Sequence, residues 1–232
     1  SRWVLYGADG RYALGAFDGR TFTPEGDKHS LWHGDFYAAQ TYSDAPGGRR
    51  VQIGWARGVA FPGMPFNQQM NVPVELSLRN SAEGLRLFAW PVKELDSLRG
   101  AARTWKELAL KPGANPRGDF ETELADLRAE IRLGDARRVA LVVRGVPVAY
   151  DVGKQQLSFN GKSAPLAPSG GAIRLRILAD RGSIEVFGGD GRVVLSAAAL
   201  LPPGDRSLRA FAEGGEAQIV SLELNELAPA MK

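Results

Sequence analysis

Between positions 32 and 67 the aromatic residues Trp32, Tyr37 and Trp55 are interleaved with the polar Asp35, Arg57 and Asn67. A sugar ring has an apolar face and a rim of hydroxyls, so aromatic planes beside polar side chains suit it. Each residue also has a plainer reading. Trp55 can pack in a β core, Asp35 can cap a strand or turn, and of the neighbours Phe36 and Tyr37 one must point inward. Other chemistries are poorly served. There is no cysteine, which excludes thiolate nucleophiles and thiolate metal sites. The two histidines, His29 and His33, cannot make a histidine-rich metal centre, and His33 reads as an exposed loop residue. No cofactor is expected.

The 232 residues suit one large β unit or two small domains, and 44% hydrophobic content is enough for a packed core. The 29 basic residues are interspersed with 26 acidic ones, for a net charge of +3. A nucleic-acid binder gathers basic charge into a patch, so that role is not expected. No apolar run reaches the length of a membrane span, and no signal-peptide pattern opens the chain. The chain starts at Ser1 directly in a strand-like run, Trp3 to Tyr6, which reads as a cut.

Glycine (28) and proline (14) punctuate short alternating runs, the pattern of many antiparallel strands. Residues 3–6 and 12–17 read as strands, with a further turn at Asp18-Gly19. Residues 36–42 with 50–55, and 71–79 with 85–90, read as two further hairpins. Over Pro91 to Leu98 the spacing of Val92, Leu95 and Leu98 turns helical and Gly100 stops it, so a linker helix is expected at 91–100. Strands resume at 119–129, 139–144, 148–152, 156–160, 173–179, 183–187, 193–197, 208–212 and 217–224. That set predicts a β-sandwich. Glu75 and Glu185 read as solvent-facing or structurally paired strand residues. Trp90 and Trp105, on either side of the linker, read as packing between domains, with a glycan-binding surface as the alternative.

Five stretches, in order, carry a family resemblance. They are Gly10-Arg11-Tyr12 with Gly15 to Gly19, then Gly34 to Thr41, Arg49 to Trp55, Met64 to Met70 running on to Pro73–Arg79, and Asp180 to Phe187. Together they resemble glycoside hydrolase family 32, the invertase, levanase and inulinase group. Val74 departs from the arginine that many members carry at that place. The resemblance implies an all-β chain: part of a five-bladed β-propeller over residues 1–90, the linker, and an accessory β-sandwich over 101–232. It implies retaining cleavage of β-fructosidic bonds in levan, inulin or sucrose, in a periplasmic or extracellular setting. It also assigns substrate contacts: Trp55 near the fructose subsite, Trp32, Asp35 and Tyr37 near the leaving-group sugar, and Arg57 and Asn67 in the following loop.

The family draws its nucleophile from an Asn-Asp-Pro-Asn-Gly-like motif, a stabilising aspartate from Arg-Asp-Pro and its acid/base from Glu-Cys. None of these strings occurs here, since the chain has neither an Asp-Pro pair nor a cysteine. No catalytic residue is therefore assigned. The expected partners are a fructan or sucrose-like sugar and a missing N-terminal propeller segment, with self-association through strand edges left open without it. A non-catalytic carbohydrate-binding or bracing sandwich is the competing expectation.

Overall fold

The computed structural model describes residues 2–113, 117–119, 123–202 and 204–230. The first sheet is a meander of β1 (Trp3–Tyr6), β2 (Arg11–Phe17), β3 (Phe22–Pro24) and β4 (His29–Ser30). Both β3 and β4 pair with β2, on the side away from β1. After β5 (Trp32–Gly34), the second sheet holds β6 (Tyr37–Thr41), β7 (Val51–Ala56), β8 (Gln69–Met70), β9 (Val74–Ser81) and β10 (Gly84–Pro91). The hairpins expected at 36–55 and 71–90 are both present. Their turns are local and rich in glycine, which is why alternation alone finds them.

The linker is a 3-10 helix over Lys93–Leu98, tighter than the helix the spacing suggested. It leads into β11 (Arg99–Leu110), followed by β12 (Arg117–Asp119), β13 (Ala125–Arg132), β14 (Arg138–Val143), β15 (Val146–Asp151), β16 (Gln156–Phe159) and β17 (Lys162–Pro165). The chain ends through β18 (Ala172–Ala179), β19 (Ser183–Gly188), β20 (Val193–Ala198), β21 (Ser207–Glu213) and β22 (Ala217–Leu227). The single strand expected at 119–129 divides between β12 and β13, and residues 120–122 lie outside those described.

These strands make a sandwich of two sheets, ordered β11-β22-β13-β18-β19-β20-β5 and β12-β21-β14-β15-β16-β17. Between them lies one core, including Leu127, Leu141, Val148, Leu157, Ile177, Val186 and Leu195. A second core, built from Tyr12, Leu31, Trp32, Phe36, Val74, Leu87, Phe187 and Val194, joins the N-terminal sheets to the outer face of the sandwich. β19 is buried along its whole length because its two faces feed these two cores. The strand that ties the halves together is β5. It pairs in parallel with β20, so a strand from the N-terminal segment completes the sandwich sheet. The approach is close: a Cβ on Gly34, at φ +85°, would collide with the Ser196 carbonyl.

Candidate functional site

The β6–β7–β8 register sets Tyr37 opposite Trp55, and Trp55 opposite Met70. Directly opposed residues share a face of the sheet, so the three side chains form one row. Tyr37 and Met70 are exposed and Trp55 is half-buried. The register shifts between Tyr37 and Gln40, where Ala38 has φ +50°, and such a bulge re-aims the strand end carrying Tyr37. The Arg57 guanidinium lies 5.0 Å from the centre of the Tyr37 ring. Phe36, the neighbour of Tyr37, is buried, as alternation requires.

Asn67 accepts a hydrogen bond from the Phe61 N–H at 3.0 Å through Oδ1, which shapes the loop between β7 and β8. Its side-chain amide nitrogen has no partner among the described residues and can donate. Phe61 and Phe66 pack together in this loop with ring centres 5.4 Å apart. Tyr37, Trp55 and Arg57 thus share one wall, with Asn67 in the loop beside it.

Trp32 and Asp35 are placed differently. Trp32 is 4% exposed and stacks on Phe36 at 4.1 Å, with Phe187 edge-on at 6.2 Å. Its ring lies in the second core and not in the pocket wall expected for it, because β5 inserts into the sandwich sheet. Asp35 Oδ2 accepts from the Ala198 N–H at 2.9 Å, and Oδ1 lies 3.3 Å from Lys162 Nζ. Its backbone also pairs with Ser196 on both its N–H and C=O sides. The carboxylate pins the seam between the halves. His33, expected in an exposed loop, is half-buried in β5, and burial lowers its pKa.

The seam holds a carboxyl that the sequence reading set aside. Glu185 is 2% exposed and accepts from the Val72 N–H at 2.8 Å through Oε1. Its Oε2 and the nearby Asn71 Oδ1 are both buried with no hydrogen-bond partner among the described residues. Burial pushes the Glu185 carboxyl up to about 8; the Val72 N–H and the polar Asn71 side chain oppose the rise, and Asp180 adds a little to it. Beside it, Gln69 Nε2 donates to Ser183 Oγ at 2.6 Å. Gln69 and Asn71 alternate with Met70, so one short stretch presents the wall on one side and the seam on the other. The family-like sequence around Glu185 was the available signal. What hid it was the covering of both faces of β19, which only the fold reveals.

A charged latch holds the 3-10 linker. The Asp126 carboxylate, 1% exposed, takes a bidentate fork from the buried Arg176 at 2.9 Å and a second guanidinium from Arg99. Asp96 of the linker sits 3.1 Å from Arg99 and 3.5 Å from Arg128.

Comparison with known proteins agrees with this architecture. Residues 6–91 match the model for the glycosyl hydrolases family 32 N-terminal domain, and residues 94–226 match the model for the glycosyl hydrolases family 32 C terminal. A levanase of Bacillus subtilis (strain 168) is 33% identical over 97% of this chain and 38% of its own length. An extracellular exo-inulinase of Aspergillus awamori is 29% identical over 96% of this chain and 48% of its own. The crystal structure of exo-inulinase from that organism superposes with a TM-score of 0.82 at 26% identity, over 98% of this chain and 54% of the other. The chain spans less than half the length of these two curated relatives. With both family models matched in order along a propeller-and-sandwich fold, this chain belongs to glycoside hydrolase family 32.

Proposed function

We propose that the chain forms the last part of the propeller (residues 1–90), the linker (91–100) and the accessory sandwich (101–232) of an exported, retaining β-fructosidase acting on levan, inulin or sucrose. The observation that carries the sugar-facing role is the Tyr37–Trp55–Met70 row with Arg57 over the tyrosine ring. An exposed tyrosine and a half-buried tryptophan beside a guanidinium and an amide match the two-sided chemistry of a furanose. Trp55 stacks on the fructosyl ring, while Arg57 and the Asn67 amide donate to hydroxyls.

Retaining chemistry needs two carboxyl groups about 5–5.5 Å apart, one as nucleophile and one as acid then base. In this reading a preceding segment of the protein supplies them. The same segment pairs with the open edge of β1, where Trp3 and Leu5 are 49% and 55% exposed. A second copy of the chain covers that edge when the segment is absent.

The experiment has two arms. The chain alone is assayed on sucrose, levan and inulin, with no fructose release expected, because a wall that only binds cannot replace a nucleophile. It is then joined to a segment carrying the family's three acidic motifs, which should restore release, with Trp55→Ala raising KM. Turnover by the chain alone, or an unchanged KM in the Trp55→Ala enzyme, overturns the reading.

A further inference from the structure

A second concave surface lies on the outer face of the seven-stranded sheet, where Trp90 of β10 meets β11, β22, β13 and β18. It encloses about 290 Å³ and shares no lining residue with the Tyr37–Trp55 wall. The registers stack the row Lys106–Ser221–Glu130–Arg174 straight across its floor. Trp105, one residue out of phase with Lys106, packs largely on the sandwich core, as Trp90 packs on the second core, and both tryptophans border the groove.

Three features separate this groove from an ordinary solvated strand face. The side chains of Lys106, Glu130 and Ser221 make no hydrogen bond or ion pair among the described residues, although Glu130 is half-buried. Arg128 Nε is buried without a partner at the same place. Arg174, by contrast, is locked by a bidentate pair to Asp190 at 2.7 and 3.1 Å, which holds a planar guanidinium and carboxylate at the rim. The charges balance: Lys106, Arg128 and Arg174 face Glu130, Asp190 and Glu223.

Balanced charge disfavours an anion such as a phosphate, because three carboxylates offset the three cations of the lining. Unspent donors and acceptors beside an indole suit a neutral polyol, which can satisfy both kinds at once. The volume falls near the lower end of ligand pockets, which run from about 300 to about 1,000 Å³, and that is room for one or two sugar units.

We propose that this groove is an auxiliary fructan-binding site, apart from the Tyr37–Trp55 wall, which holds one part of a polymer while another part is cleaved. The fructan identity rests on the function proposed above; the groove itself does not. Tethering one part of a chain raises the effective concentration of the rest at the pocket without any new contact there.

The test is titration calorimetry of the chain with short inulin-type and levan-type oligosaccharides, and with a gluco-oligosaccharide of equal length. Two variants fill or strip the groove, Ser221→Trp and Glu130→Ala, and Tyr37→Ala alters the other wall. Near-ultraviolet circular dichroism confirms that each variant is folded. The expected result is fructan binding that weakens about tenfold or more in both groove variants, with a groove-bound component retained in Tyr37→Ala. No fructan binding, or affinity unaltered by Ser221→Trp, overturns the site while leaving the proposed activity standing. Binding of the gluco-oligosaccharide in preference, lost in the groove variants, overturns the fructan assignment and counts against the proposed substrate class as well.

Discussion

Raising the pH should weaken the seam between the two halves at Glu185. The carboxyl starts from an ordinary value of 4.5 and is pushed up to about 8 by burial. Below pH 4.5 it is protonated in both the folded and the unfolded chain, and its contribution to stability is fully present. As the pH rises, the unfolded chain gives up the proton first, so stability falls until the folded carboxyl also titrates near 8, and then levels off. At about 1.4 kcal/mol per pH unit, the interval corresponds to a ceiling of about 5 kcal/mol. That is a large share of the roughly 5–15 kcal/mol by which domains are stable.

The packing around Glu185 gives the same sign. Its cross-strand neighbours are Leu178 and Ser196, which carry no charge, and Asp180 opposes ionisation. Gln69, Asn71 and Val72 approach from the other half without a cation among them. A proton on Oε2 would give a donor for the unpartnered Asn71 Oδ1. Glu185→Gln makes that neutral arrangement permanent. In urea unfolding from pH 5 to pH 9, the natural chain should lose stability across this range. The variant should match it within about 1 kcal/mol at the acid end and exceed it by a few kcal/mol at the alkaline end. Because His29 and His33 titrate in both proteins, the difference between the two curves isolates the carboxylate. Parallel curves, or a variant destabilised equally at every pH, would refute the reasoning.

Asp126→Asn should cost about 3–5 kcal/mol in urea unfolding, because it leaves the buried Arg176 guanidinium without its counter-charge. Gly34→Ala should lower the melting temperature by several degrees and shift the fluorescence of the buried Trp32 to the red, since the new Cβ meets the Ser196 carbonyl and forces β5 off β20. Tyr150→Phe should cost about 1–2 kcal/mol in the same unfolding assay, by leaving the buried Leu166 carbonyl without the 2.8 Å bond from the phenol.

Much of the strand content was readable because it is local. The hairpin joining β9 to β10 and the one joining β6 to β7 alternate cleanly and turn on a few glycine-rich residues. β11 was not readable. Its period breaks at Glu107, where φ is +53°, and again at the register shift between Arg99 and Ala102, so Trp105, Leu108 and Leu110 do not fall on one regular face. The linker has helical spacing, yet it closes as a 3-10 turn whose Asp96 is claimed by arginines of the sandwich.

For the candidate wall, residue types and family-like segments pointed to Tyr37, Trp55, Arg57 and Asn67, and their order along the chain set them close together. Trp32 and Asp35 have the same chemistry in the same stretch, but β5 crosses to the sandwich and carries both into the seam. Glu185 shows the same limit from the other side: an alternating strand looks half-exposed until a second body covers its outer face. Sequence by itself established the all-β class, the hairpins and the family, because period, turn chemistry and motif order are properties of neighbours along the chain. Tertiary structure alone decided which strands cross between the halves, which carboxyl loses its water and which polar row is left unpaired, because burial depends on what arrives from far away in sequence.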